Sequence, residues 1–169
     1  MTLQNDHNRE KGKFILLCKQ RQIDLEKAFL MLPSIQKKYD LLIEKGKKLF
    51  NKGIPTPSNF IRVPGCQSKT FLKASMKEGL ISFEGESDAL ISSGLLAMLL
   101  DIYSWLPPTT VLTCPPDFIE RIGFHQFLSL NRATGLHQIY LQIRKESAYF
   151  LEKELQSSTS ETNDKLVKR

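Results

Sequence analysis

Long hydrophobic runs are missing from this 169-residue chain. The longest uninterrupted apolar stretch, Gly94 to Leu100, is closed by Asp101. A membrane helix needs about 20 such residues, so no helical span is expected. The opening residues MTLQNDHNREKGK are polar and lack the apolar core of a secretory signal, which makes the cytoplasm the expected location. Cysteine is scarce: Cys18, Cys66 and Cys114 are the only three, and no C-x-x-C occurs. An odd, widely spaced set reads as free thiols in a reducing compartment, not as a disulfide framework or a zinc module. Histidine is also scarce, with His7, His125 and His137 and no H-E-x-x-H. There is no Gly-rich phosphate loop either. No metal or cofactor of its own is therefore expected. Acidic residues are outnumbered 18 to 24, a net charge of +6, and residues 1–52 carry all of that excess. A basic front end can attract nucleic acid, anionic lipid or an acidic protein, but its plain reading is a solvated helix face. Aromatic residues do not interleave with the charge, which speaks against a nucleic-acid module.

What is present is ordinary globular composition, 41% hydrophobic and 25% charged, in a chain long enough for one core. The polar ends, residues 1–13 and 157–169, read as mobile. The expected division is an N-terminal extension over 1–22, one domain over 23–156 and a disordered tail over 157–169. Phe14 to Gln22 reads as a short helix or extension, and Asp24 as the cap of a helix ended by Pro33. Ser34 is expected to cap a lysine-faced helix running to about Phe50. Pro55, Pro57 and Pro64 make the next stretch a loop. Two strands, Gln67–Lys77 and Leu80–Glu84, follow around a Glu78-Gly79 turn. Ser87 or Asp88 is placed to cap a helix from Ala89 to about Trp105. That helix has almost no polar face, so it should be buried at the centre. Pro107-Pro108 stops it, and Thr110–Pro116 reads as a loop. Asp117 then caps a short helix, and Asn131 the last long one. This order predicts an α+β fold, a small antiparallel β-sheet packed against several α-helices.

Cys66 stands apart from the other thiols. It lies in V-P-G-C-Q-S, on a proline-rich loop before a strand. Gly65 permits an unusual backbone conformation or the close approach of another chain. Cys18 sits among Ile15, Leu16 and Leu17 and reads as packing, and Cys114 as packing or incidental exposure. Three blocks then occur in order: Gly65-Cys66-Gln67-Ser68 before the hairpin, Gly85-Glu86-Ser87-Asp88-Ala89 opening the buried helix with Gly94-Leu95, and Leu130-Asn131-Arg132-Ala133-Thr134-Gly135-Leu136 at the start of the last helix. Together they resemble the SufE family of sulfur acceptors over about residues 24–150. Two departures stand out. Ile61 occupies the place of an asparagine, with Asn59 displaced by two, and Phe71 replaces a tryptophan.

The resemblance implies a SufE-like fold and a sulfur carrier, an accessory protein and not an enzyme. Such a carrier takes sulfur from a SufS-like cysteine desulfurase, whose pyridoxal phosphate belongs to that partner. It holds the sulfur as a persulfide on Cys66, stimulates the desulfurase, and passes the sulfur to a SufB-like iron–sulfur cluster scaffold. It would act as a monomer or weak homodimer, without nucleic acid or membrane. Cys66 must attack as thiolate, of which a free thiol with a pKa near ~8.5 supplies little at neutral pH. Arg132 is the first candidate to stabilise it and Arg62 the second, although Arg132 could instead pair with Asp88. Asp88 reads mainly as a helix cap, and Gln67 and Ser68 as polar groups beside the sulfur or as strand initiators. A persulfide needs shielding from oxidants, so the loop should fold Cys66 inward and swing out on docking. The rival enzyme reading is a cysteine hydrolase pairing Cys66 with His125 or His137, with Asn131 orienting the base.

Overall fold

The computed structural model describes the backbone of residues 2–52 and 58–167 and the side chains of 9–52 and 58–157. Pro55 and Pro57 of the expected loop lie outside the described residues. In chain order the elements are α1 (Thr2–Leu30), α2 (Ile35–Gly46), β1 (Ile61–Arg62), β2 (Thr70–Lys77), β3 (Leu80–Ser87), α3 (Leu90–Tyr103), α4 (Pro108–Thr113), α5 (Phe118–Ile122), a 3-10 turn Phe124–Gln126 and α6 (Leu130–Val167). This is the expected α+β arrangement, with a three-stranded antiparallel sheet in the order β1-β2-β3.

The β2–β3 hairpin closes at Lys77 opposite Leu80. Its two turn residues, Glu78 and Gly79, both have positive φ, 52° and 75°. That pair of left-handed residues gives the primed turn whose twist suits a two-residue hairpin. From this turn the register runs back to Thr70 opposite Ser87. β1 pairs Ile61 with Leu72 and Arg62 with Phe71, so the loop that was expected to be irregular supplies a short edge strand.

The helix with almost no polar face, α3, is the centre of the molecule. Ser93 through Leu100, Ile102 and Tyr103 of α3 are all buried. β3 covers one side of it with Ile81 and Phe83, and α2, α6 and α1 cover the others with Leu42, Ile139, Ile143 and Phe29. No helix among the described residues is long and apolar enough to cross a membrane.

Several expectations need correction. α1 is one helix from Thr2, with no break at Asp24. Asp24 accepts a hydrogen bond from Gln20 Nε2 one turn earlier, 2.8 Å, and caps nothing. Helical backbone runs through residues 2–13 and 157–167. Ser34 does cap α2, accepting from Lys37 N, but the helix stops at Gly46 and not at Phe50. Phe50 bridges to Ser87 instead. α3 begins after Ala89 without a side-chain cap, so neither Ser87 nor Asp88 performs that task. Residues 110–113, the first part of the expected Thr110–Pro116 loop, belong to α4. The second proline of the pair that ends α3 sits at N1 of α4, where a missing N–H costs nothing. α6 starts at Leu130, which puts Asn131 inside it and not at its cap.

Candidate functional site

The Cys66 loop begins and ends on the sheet. Val63 N–H donates to Thr70 O at 2.8 Å, so residues 64–69 project as one short loop from a closed ladder. Val63 is fully buried and anchors the base. Within the loop Gly65 has φ +76°. A side chain there would be strained, and a Cβ would lie 3.1 Å from Gln138 Cδ on α6. The loop therefore lies flat on the first turns of α6.

Cys66 itself points inward. Only 8% of it is exposed, too little for attack in place on a large partner's sulfur. Its Sγ lies 3.6 Å from the Gly135 carbonyl, which accepts from the thiol. Burial pushes the thiol above its ordinary range, and the charge of Arg62 opposes that shift without cancelling it. The loop thus holds Cys66 inward and disfavours its thiolate, which agrees with the inward folding expected from the sequence.

Clips on both sides hold the loop shut. Asn131 Nδ2 donates to Gln67 Oε1 at 2.9 Å. Lys69 N–H donates to Asp88 Oδ1 at 2.9 Å, and Asp88 N–H returns a bond to Lys69 O at 3.2 Å. Ser68 Oγ donates to Ser92 Oγ at 2.9 Å and lies 3.0 Å from Thr70 Oγ1, which is itself 3.0 Å from Ser87 Oγ. Asp88 is thus a latch between the loop exit and the entry to α3, where the sequence suggested a helix cap. Next to the loop is an open cleft of about 370 Å³. Gln67, Ser68, Asp88, Ser92, Asn131 and Arg132 line it. The fold therefore gathers Gln67, Ser68, Asp88 and Arg132 around one depression beside the Cys66 loop.

Arg132 has another partner. Its Nη1 donates to the Tyr39 hydroxyl at 3.2 Å, and its guanidinium lies 5.5 Å from the centre of that ring. Tyr39 in turn donates to Phe127 O. Among the described residues no ion pair joins Arg132 to Asp88. The cation whose charge favours the Cys66 thiolate is Arg62, the second candidate. His125 and His137 line a different cleft, with Phe124, Leu136 and Tyr140, and no hydrogen bond ties either to Cys66 among the described residues. Asn131, considered as an orienting group for a histidine, is engaged with Gln67.

The α6 face beneath the loop was not anticipated. Asn131, Gly135 and Gln138 recur at helical spacing and form one small polar stripe. That spacing is visible in the sequence: Asn131 and Gly135 fall inside the Leu130–Leu136 block, and Gln138 follows it on the same face.

Two expectations follow. Asn131→Ala removes one clip while leaving the core alone. Such a bond contributes about 0.5–1.5 kcal/mol net, so alkylation of Cys66 by iodoacetamide should accelerate by roughly two- to tenfold. An unchanged rate would mean this clip does not hold the loop. The second concerns pH. A raised folded-state value means that the closed loop favours the protonated thiol. Its stabilising contribution is complete below the ordinary value of 9.0 and is lost as pH rises through the higher value of the folded chain. The alkylation rate of the folded chain should therefore climb at higher pH than that of a peptide spanning residues 63–69. Coincident profiles would contradict a buried resting thiol.

A family model described as SufE, Fe-S metabolism associated domain, matches residues 23–147. An uncharacterised SufE-like protein of Synechocystis is 31% identical over 131 residues, covering 78% of this chain and 76% of that protein. A second, from Rhizobium etli, is 32% identical over 126 residues, covering 70% of this chain and 84% of its own. A chloroplastic/mitochondrial SufE-like protein of Arabidopsis thaliana is 28% identical over 143 residues, 83% of this chain and 38% of that longer one. The solution structure of a hypothetical protein from Thermus thermophilus shares the fold, with a TM-score of 0.64 at 22% identity over 78% of this chain and 96% of that one.

Proposed function

This chain belongs to the SufE family of iron–sulfur metabolism, and we propose that it accepts sulfur on Cys66 from a cysteine desulfurase and delivers it to an iron–sulfur cluster scaffold. The observation that carries the reading is the resting state of Cys66. It is a buried, neutral thiol on a short loop held by a few side-chain clips beside an open polar cleft. A packing cysteine has no use for such an arrangement, whereas a carrier of reactive sulfur needs it.

The transfer runs as a thiol exchange. Docking of the desulfurase competes for the clips, and the loop pivots at Gly65. Each exposed bond is worth about 1 kcal/mol net, so opening costs only a few kcal/mol, within reach of a protein interface. Leaving the buried position removes the burial that holds the thiol neutral. The Cys66 proton passes to solvent. The thiolate attacks the terminal sulfur of the partner's persulfide, a new S–S bond forms on Cys66, and the old one breaks with the partner's cysteine leaving as thiolate. No net oxidation occurs. Closing the loop would return the persulfide to shelter, and a second exchange on the scaffold would empty it. Clearing the desulfurase's own persulfide is what would raise its turnover. Pyridoxal phosphate acts on the desulfurase, outside this chain.

The test mixes the protein with a cysteine desulfurase and cysteine, then measures intact mass before and after reductant. The expected result is a reducible gain of about 32 Da per sulfur atom, mapped to Cys66. If the desulfurase turns over cysteine and this chain gains nothing, the reading is wrong.

A further inference from the structure

Two buried thiols remain outside this chemistry. Cys18 lies on α1 and Cys114 just past the last turn of α4, and the α1–α4 contact brings them together. They share a donor. Gln22 Nε2 lies 3.4 Å from Cys114 Sγ and 3.8 Å from Cys18 Sγ. The amide is held in place by the backbone on both sides, donating to Pro115 O at 2.9 Å and accepting from Phe118 N at 3.4 Å. The Tyr103 hydroxyl donates to Cys114 O at 2.9 Å and fixes the end of α4. Both thiols are free and buried. A pair of thiols from distant parts of the chain, held side by side by a locked amide, is more than packing requires.

We propose that Cys18 and Cys114 form a reversible disulfide, a redox-modification site whose oxidant is a peroxide. Cys114 is the attacking sulfur. It keeps 3% exposure where Cys18 has none, so a small oxidant meets it first. The neighbouring Cys18 pulls the Cys114 thiol down, with help from Lys19 and Gln22, while Cys114 and burial push Cys18 up. One sulfur is thus readied as thiolate while the other keeps its proton.

The atoms balance as follows. The Cys114 thiolate attacks one peroxide oxygen and the O–O bond breaks. Cys114 becomes a sulfenic acid, and the other oxygen leaves as hydroxide and is protonated to water. The Cys18 sulfur then attacks the sulfenic sulfur, and the S–O bond breaks. The departing hydroxide takes up the Cys18 proton as a second water. Two thiols lose two electrons and the peroxide gains them. The bond ties α1 to α4 around a chain segment that contains α2, the sheet and α3, so it should raise thermal stability.

The test uses the full chain, both as it stands and with Cys66→Ser to remove the third thiol. Graded hydrogen peroxide should cause a loss of about 2 Da that dithiothreitol reverses, with a cross-linked peptide joining Cys18 and Cys114. The melting temperature of the oxidised chain should rise by roughly 5 °C or more. Cys18→Ser should instead gain oxygen on Cys114, because the resolving thiol is gone. The proposal is overturned if the parent chain gains oxygen on Cys114 without losing two hydrogens. It is equally overturned if both thiols stay unmodified at a peroxide dose that oxidises Cys66. None of these readouts involves sulfur transfer, so they stand or fall apart from the role of Cys66.

Discussion

Cys66→Ser is expected to accept no sulfur and to lose stimulation of a cysteine desulfurase down to background, a fall of at least about a hundredfold in transferred sulfur. The substitution is nearly isosteric, and a serine hydroxyl can still donate to the Gly135 carbonyl that the thiol now faces. The loop clips at Gln67, Lys69 and Ser68 are untouched. The fold should therefore persist, and the loss should be chemical, because an alkoxide is inaccessible near neutral pH and an oxygen cannot carry a sulfane sulfur reversibly. Cys18→Ser and Cys114→Ser serve as controls and should still gain sulfur on Cys66. Two measurements decide the matter: intact mass after incubation with desulfurase and cysteine, and the desulfurase rate. Stimulation that survives in Cys66→Ser would make the chain an allosteric activator and remove the carrier role.

Gly94→Ala is expected to be the most damaging glycine-to-alanine change among the described residues. A Cβ at Gly94 would lie 2.1 Å from Leu42 O and 2.7 Å from Leu42 C, and at Gly46 a Cβ would lie 2.4 Å from Gly94 N. These obstacles are backbone, so no rotamer change relieves them. The two helices touch main chain to main chain at this crossing, and a methyl forces them apart along the whole contact. Overpacking of this kind costs about 3 kcal/mol, which for a chain of this size lowers the melting temperature by roughly 10 °C. α3 also carries Ser92 near its start and follows directly on Asp88, two of the latches on the thiol loop. The same variant should therefore alkylate faster at Cys66. Gly12→Ala is the matched control. Nothing lies within 4 Å of its Cβ, and it sits in α1, so the change should be neutral or mildly stabilising. Equal melting temperatures for Gly94→Ala and the parent chain would show that the crossing is looser than this geometry.

The elements that could be read without a structure are those whose signal is local. α3 has almost no polar face, which places it at the centre. Glu78-Gly79 can turn only one way between two strands, and Ser34 caps the helix it precedes. The misread elements were those in which one local signal permits two outcomes. A proline pair that ends α3 also opens α4. Asp88 has the chemistry of a cap, yet its carboxylate meets the backbone of Lys69, which is distant along the chain.

The chain's own residues determined that one thiol, Cys66, would sit on a glycine-hinged loop before a hairpin, because glycine, proline and turn chemistry act over a few positions. Tertiary structure alone decided what that thiol meets. Tyr39 arrives from α2 and accepts a hydrogen bond from Arg132, and the charge of Arg62 opposes the upward push of burial on the Cys66 thiol. It also decided that Cys18 and Cys114 would be neighbours through Gln22. Side-chain electrostatics depend on distance in space, and only the packing of α1, α2, α4 and α6 around α3 sets those distances.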